Sequence, residues 1–499
     1  MQFGRAKISY DEPVVTKENI SFVVRKAMEL HEENRSNMDY LYRYYKGEQP
    51  ILERVKTIRP EINNKIRVNR ANEIVSFKVG YLVGEPVQYV SRSDTSRETK
   101  DIGELNDMMA LVGKESLDSE LAEWMYICGV GYRMILPNQE FMNIVAKNAK
   151  LRKKTKIEDE SPYKLFTLDP RNCFIVRYSG IGEEPVLGVK YVLDQNNHAT
   201  FNCWTPTMTY ILDNNYQLID SEPNPLGRIP IIEYPLNTPR IGIFEMVMDL
   251  LNAENTIESN RVDGVEQFVQ SLMILYNADI DDKDVDSIRQ AGLVKLKSIG
   301  DIKADIKILT EQLNQGETQT LVDYIHQTIL DIVGMPSQGN GSQSVNSNNG
   351  AAIVSNGWTK AESRAKLDEG YFKKSEREFL KVALEIIRLS VGTKLTLKAI
   401  DIKFTRRNYE NVQVKSQVLT TMLANQKIHP QLAFEYCGLF SDPQSAYLMS
   451  EEYYNEQMEK WKPINLEDEE TDIDKDDEVN GRNDISGDGQ KKEETPTED

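Results

Sequence analysis

The sequence predicts an α+β fold that is predominantly helical, and three features of the chain lead to that class. Long stretches carry apolar residues at helical spacing, short runs in the first half alternate apolar with polar residues, and turn formers such as Asp169-Pro170 fall between them. With 499 residues the chain is longer than one hydrophobic core supports, so several parts are expected. A hydrophobic share of 39% and a charged share of 28% fit a water-exposed globular protein with polar appendages. No apolar run approaches the length a bilayer needs, and residues 1–12 lack an apolar signal core, so neither a membrane span nor a secreted precursor is expected.

The elements follow in order. From about Ser21 to Tyr234 helical patterns mix with strands: residues 104–127 read as one helix, and 131–136, 173–178, 188–193 and 209–212 read as strands. Thr238-Pro239 then places a capping residue before a proline at a first helical position. Phe244, Met248, Leu251, Val265, Phe268 and Leu272 keep helical spacing as far as about Tyr276. At about 1.5 Å per residue such a helix spans roughly 55 Å, too long for one small core.

Residues 277–316 form a compact excursion that opens with Asp279, Asp281, Asp282, Asp284 and Asp286, continues through Leu293, Val294 and Leu296, and ends in a strand-like run over 302–309. A second helix follows, capped at Thr318, with Leu321, Ile325, Ile329 and Ile332 on one face and Gly334 and Pro336 as its stop. Residues 336–350, PSQGNGSQSVNSNNG, carry no charge and cannot bury a core, which predicts a loop. Residues 351–391 return to one long helix, with Glu362 and Lys366, and Glu369 and Lys373, at ion-pair spacing, and Gly392 ends it. Ile400, Ile402 and Phe404 alternate as a half-buried strand, and residues 411–461 are helical, including 414–425 and 445–460.

The net charge of −19 is concentrated at one end. From Ile464 to Asp499, 15 Asp plus Glu stand against 4 Lys plus Arg, giving −11 there and −8 elsewhere. The block Glu467-Asp468-Glu469-Glu470 with Asp472, Asp474, Asp476 and Asp477 reads as a self-repelling disordered extension. It fails the calcium-loop pattern because Asp477 stands where that loop needs glycine. Cys128, Cys173, Cys203 and Cys437 are scattered, as are His31, His198, His326 and His429, so neither a disulfide framework nor a zinc module is expected, in keeping with a reducing compartment.

Catalytic signatures are missing from the pattern. The chain carries no GxxxxGK[ST] loop, HExxH helix, GxSxG elbow or dinucleotide fingerprint, and in His31-Glu32-Glu33-Asn34-Arg35 an arginine replaces the second histidine of a zinc helix. Neither enzymatic activity nor a cofactor is expected. Among non-catalytic candidates, Ser337, Gln338, Asn340, Ser342, Gln343, Ser344, Asn346, Ser347, Asn348 and Asn349 offer exchangeable hydrogen bonds without charge, although read alone they suit an ordinary linker. Lys360, Arg364, Lys366, Lys373, Lys374 and Arg377 suit either a polyanion or neighbouring-subunit contact or a solvated face paired with Glu362, Asp368, Glu369 and Glu376, the second being the plainer reading. Tyr40, Tyr42, Tyr44 and Tyr45 end a helix at Lys46-Gly47, where packing with a polar handle is favoured over base stacking.

Three segments carry a family resemblance. Tyr40 to Gly47 (YLYRYYKG), the stretch from Asn64-Lys65 through Val68-Asn69 to Gly80-Tyr81-Leu82-Val83-Gly84-Glu85-Pro86-Val87, and Gly227-Arg228-Ile229-Pro230-Ile231-Ile232-Glu233 resemble portal proteins of long-tailed, siphovirus-type phages of Gram-positive bacteria. The order of elements after Glu233 fits as well, and the likeness covers about 40–460. It implies a portal fold in a ring-shaped homo-oligomer of about twelve copies, with wing, stem, clip and crown. Residues 1–20 would be an arm, 21–237 the wing, 238–277 and 317–335 the stem helices, 278–316 the clip, 336–350 a tunnel loop, 351–391 a long wing helix, 392–410 a wing strand, 411–463 the crown and 464–499 the acidic tail. The loop is richer in Ser, Asn and Gly than the family pattern.

The implied function is a channel at one capsid vertex through which double-stranded DNA is packaged, retained and ejected. A polyanion must slide there, and each Lys or Arg contact to phosphate localises it, so a neutral polar loop suits the task. The implied partners are further copies of the chain, double-stranded DNA bound without sequence preference, the terminase large subunit as a separate ATPase, a head–tail adaptor, and the major capsid and scaffold proteins, with no membrane. Asp279, Asp281, Asp282 and Asp284 with Lys295 and Lys297 would face the motor or adaptor, although a solvated turn is the plainer reading of the aspartates. Lys360, Arg364 and Lys366 would face the tunnel or a neighbouring subunit. The alternatives are another head or neck protein, such as an adaptor or scaffold-associated protein, and a nucleic-acid enzyme with an unrecognised site.

Overall fold

The structure, a computed structural model, describes residues 4–57, 59–92, 96–142, 160–196, 198–269, 272–276, 305–309, 315–336, 357–406, 412–440 and 443–460. Helix α1 (Ile20–Tyr45) buries Ile20, Val23, Val24, Ala27, His31, Asn34, Met38, Leu41 and Tyr44, a stripe at the three-and-four spacing of an α-helix. Its two halves serve different cores. Val23, Val24 and Ala27 join an apolar cluster beneath a sheet, whereas Met38, Leu41 and Tyr44 join a larger cluster that draws on most of the helices before residue 391.

The sheet over the smaller cluster has six strands in the order β1 (Ile8–Tyr10), β5 (Cys173–Tyr178), β6 (Pro185–Leu193), β7 (Ala199–Trp204), β8 (Met208–Leu212) and β9 (Leu218–Pro223). Only the β1–β5 pair is parallel; the others are antiparallel neighbours joined by turns. At the outer edge, the Ser221 amide of β9 is taken by the Asp220 carboxylate at 2.7 Å, and position 223 is a proline, which has no N–H. A second sheet orders β10 (Ile231–Pro235), β3 (Val130–Pro137) and β4 (Tyr163–Leu168), and a pair joins β13 (Ile400–Lys403) to β2 (Gln88–Ser91). The expected strands at 131–136, 173–178, 188–193 and 209–212 thus fall on β3, β5, β6 and β8.

The single helix expected over 104–127 is two: α3 (Ser96–Leu111) and α4 (Lys114–Cys128). Between them Gly113 adopts φ +66°, a left-handed backbone that only glycine takes at little cost, and its N–H closes on Ala110. The break lets α4 turn Leu121, Ala122, Met125, Tyr126 and Ile127 into the core independently of α3. Helix α2 (Arg70–Val83) packs beside α4 and buries Ala71, Ile74, Val75, Leu82 and Val83.

The long helix does not start at Pro239. Helix α5 runs Met248–Val269 after one 3-10 turn, Glu245–Val247, so its 22 residues span about 33 Å. Residues 237–243 form a turn instead: Asn237 accepts the Ile241 amide at 2.9 Å and donates to the Ile241 carbonyl at 2.8 Å, and Arg240 sits at φ +55°. Glu245 accepts the Gly242 amide at 2.8 Å, so two side chains outcompete the helical path that Thr238-Pro239 suggested. At the other end, Leu272–Tyr276 is strand β11, antiparallel to β12 (Asp305–Leu309).

Helix α6 (Gln315–Val333) starts three residues ahead of the expected cap at Thr318. Helix α7 (Trp358–Ser390) ends as expected, with the Val391 and Gly392 amides both closing on the Ile387 carbonyl. The chain finishes with α8 (Val412–Leu423), α9 (Pro430–Cys437) and α10 (Pro443–Lys460); α10 buries none of its residues. The four cysteines are separate and buried.

Candidate functional site: the roots of the central helices

Helix α5 is tied to the body through polar groups. Residues 64–68 run as a strap along it, antiparallel, and the amides of Asn64, Ile66 and Val68 donate to Asp263 Oδ1 at 2.7 Å, Ser259 Oγ at 2.9 Å and Asn255 Oδ1 at 2.9 Å. The match follows from two repeats: two residues of strand advance about 6.6 Å, and four residues of helix rise about 6 Å. Tyr44 extends the seam by donating to Asn252 Oδ1 at 2.9 Å, and Asn255 donates to Gln49 at 2.6 Å. Burial alone would raise the Asp263 carboxyl, but the Lys56 ammonium at 2.9 Å and the Asn64 donors outweigh it and hold the group below its ordinary value. Arg54 joins them on Asp263 at 3.0 Å.

A second set of contacts grips the C-terminal end of α6. Gly334, at φ +67°, ends the helix, and its carbonyl accepts the Lys78 ammonium from α2 at 3.1 Å. Burial pulls the Lys78 amine down to about 8, against the opposing pull of Asp368. From α7, Lys360 pairs with Asp331 at 2.8 Å and Arg364 reaches the Ile332 carbonyl at 3.5 Å. Cations at a helix C-terminus oppose its partial negative charge, so three of them converge where that charge lies. Arg406 braces α7 by bonding Glu362 at 2.8 Å and Glu369 at 2.5 Å, while Tyr81 donates to Glu362 at 2.9 Å.

The structure therefore gives Lys360 and Arg364 partners within the chain. Lys366 stays 69% exposed, with Glu362 no closer than 3.9 Å. The expected Glu369–Lys373 pair is present at 2.5 Å. Two acids assigned to the solvated face are instead buried. Asp368 accepts from Tyr126 at 3.0 Å, and burial raises its carboxyl above the ordinary range. Glu376 is fully enclosed and accepts from Tyr89 at 2.5 Å and Tyr234 at 2.6 Å. Burial pushes the Glu376 carboxyl upward, but Lys114 at 2.9 Å and Arg133 at 3.4 Å prevail and hold it down at about 2. Both cations also bond Asp118, so two of each sign close the cluster. The signal was in the helical wheel: Glu376 is four residues after Phe372 and three before Phe379, on the apolar stripe of α7.

The tyrosine run is used in packing. Tyr44 is buried, Tyr42 stacks on Trp124 at 4.9 Å, and the Arg171 guanidinium lies 4.5 Å from the Tyr42 ring. The ten loop positions from Ser337 to Asn349, the positions Asp279, Asp281, Asp282, Asp284, Lys295 and Lys297, and the acidic tail from Ile464 lie outside the described residues. Among the described residues no group of three or more His, Cys, Asp and Glu is arranged to hold a metal, and no helix is long and apolar enough to cross a membrane.

Comparison with known proteins adds the family. The sequence profile described as "Phage portal protein, SPP1 Gp6-like" matches residues 26–471. One similar solved chain comes from a structure titled "Neck of empty GTA particle computed with C6 symmetry"; it is 12% identical, with a TM-score of 0.41 over 74% of this chain and 90% of that chain. No curated protein matches.

Proposed function

We propose a mechanism from the premise that the chain belongs to the SPP1 Gp6-like phage portal protein family, as the match over residues 26–471 establishes: α5 and α6 act as the stem of a ring whose bore passes double-stranded DNA. The protein is a portal protein, a component of the virion at the head–tail connection. The finer reading, of a siphovirus of Gram-positive bacteria assembled in the host cytoplasm in rings of about twelve, follows the resemblance and a closed heterologous interface.

Two observations support the assignment of parts. The strap along α5 and the cations around the end of α6 fix both helices to the body, which is what segments leading to a bore and a motor-facing end require. Residues 336–350 lie in sequence between α6 and α7, and their uncharged composition would let phosphates slide rather than lodge. Asp279, Asp281, Asp282, Asp284, Lys295 and Lys297 would then meet the terminase large subunit during packaging and a head–tail adaptor later, and the body would meet capsid and scaffold proteins.

Ring closure is supported by surfaces left uncovered in one copy. Helix α10 exposes Met449, Tyr453, Tyr454 and Met458, and α6 exposes Leu321 and Tyr324. Helix α10 packs on α9 through Tyr447 but fully buries none of its 18 residues, so a neighbouring copy is its natural cover. Native mass measurement tests the reading: a closed ring of about a dozen copies is expected, and a lasting monomer at high concentration, with capsid partners supplied, would overturn it.

A further inference from the structure

A small polar cavity lies where the N-terminal arm, α1, β3, β5 and the turn after β10 meet. It leaves about 10 Å³ for the centre of a water-sized sphere, and Arg5, His31, Asn34, Tyr132, Glu233 and Arg240 supply its polar walls. That volume matches one water-sized occupant. Arg5 is 3% and Arg240 7% exposed, so both guanidinium groups are out of bulk solvent.

The hydrogen-bond account does not balance. Arg5 Nη2 donates to Glu245 at 2.6 Å, but Arg5 Nε and Nη1 have no partner. Arg240 Nε donates to Glu233 at 2.5 Å, but Arg240 Nη1 has none. The carboxylates and Asn34 are already engaged: Glu233 also takes Arg177 at 2.7 Å, Glu245 takes the amides of Gly4 at 3.0 Å and Gly242 at 2.8 Å, and Asn34 exchanges two 2.9 Å bonds with Ala6. His31 donates its Nε2–H to the Arg171 carbonyl at 3.0 Å, which leaves Nδ1 as a single acceptor against the three unpaired arginine nitrogens. What remains is a surplus of N–H donors and of positive charge, with Arg5, Arg177 and Arg240 against Glu233 and Glu245.

We propose that this cavity binds one small monovalent anion of chloride size, held by Arg5 and Arg240. An acceptor-only ion satisfies several donors at once, whereas a water would bring two hydrogens into a place whose carboxylates are occupied. The ion is slightly larger than a water, and Met38, a flexible thioether on the wall, accommodates the difference. Its position joins Ile8 and Phe174 of one apolar cluster to Met38, Val130 and Ile175, of which Val130 and Ile175 belong with Met38 to the other. The anion thereby pins the N-terminal arm to the turn that leads into α5.

The test compares the full chain in sodium chloride and in sodium gluconate at equal ionic strength, gluconate being too large for the cavity. Chloride should raise the thermal midpoint by about 2 °C or more, and the double variant Arg5→Met with Glu245→Gln should lose that difference. Equal midpoints for the wild type, or a chloride effect that survives in the double variant, would overturn the proposal. A crystal measured at long wavelength, where chloride scatters anomalously and water does not, decides the point even if the variant does not fold: a chloride peak between the two arginines supports the site, and a water peak overturns it.

Discussion

Lys78, in the third turn of α2, donates its ammonium to the carbonyl of Gly334, 256 residues further along the chain, and so holds the end of α6 against the body. Both groups are buried. Removing the donor leaves the carbonyl unpaired, at a cost of about 1–3 kcal/mol.

Lys78→Met should therefore lower stability by that amount in thermal or denaturant unfolding near neutral pH. The pH dependence has a definite sign. The folded amine titrates near 8 and the unfolded one near 10.5, so above pH 8 the unfolded chain holds the extra proton. Wild-type stability should rise from pH 8 to 10.5 relative to Lys78→Met, and a constant difference over that range would remove Lys78 as the cause.

Glu376→Gln leaves Lys114 and Arg133 facing Asp118 alone in the core. The expected loss is about 3–5 kcal/mol, whereas Glu378→Gln, an exposed partner of Lys381, should be nearly silent. With a folded value of about 2 against an ordinary 4.5, the Glu376 contribution is complete above pH 4.5 and fades as pH falls toward 2. Acid titrations of wild type and variant should converge over that interval.

Ser259→Ala removes the acceptor of the Ile66 amide in the middle of the strap. Hydrogen exchange at Ile66 should accelerate, with a stability loss of about 1–3 kcal/mol. Unchanged protection would mean that the strap is held from elsewhere.

Deleting residues 338–349 should leave rings intact in electron micrographs and impair DNA packaging or retention. Normal packaging and retention by particles built with the deletion would refute the assignment of this segment to the bore.

Reading the chain forward recovered elements whose periodicity matched their burial. The alternation through Ile400 and Ile402 became β13, with one covered face, and the mixed pattern before Tyr234 became the two larger sheets. The structure departs from the local pattern where side-chain bonds or strand pairing decide the path. Thr238-Pro239 is a good helix signal locally, but Asn237 and Glu245 bond the turn into another shape, and no local pattern announces those bonds. Leu272 to Leu275 is an apolar run that fits helix or strand equally, and only its pairing with residues 306–309 selects the strand. The contacts of Lys78 with Gly334 and of Arg406 with Glu362 join residues 256 and 44 positions apart, beyond the reach of spacing arguments, whereas Glu376 was legible from its place on the α7 stripe.

The guarded margin of β9 acquires its meaning from crowding. Copies of one chain gathered at high local concentration meet repeatedly through whatever sheet borders they expose, the circumstance in which strands anneal into ribbons. Within one short strand a proline and an aspartate withhold donors that such annealing would recruit. Growth along this border is thereby disfavoured.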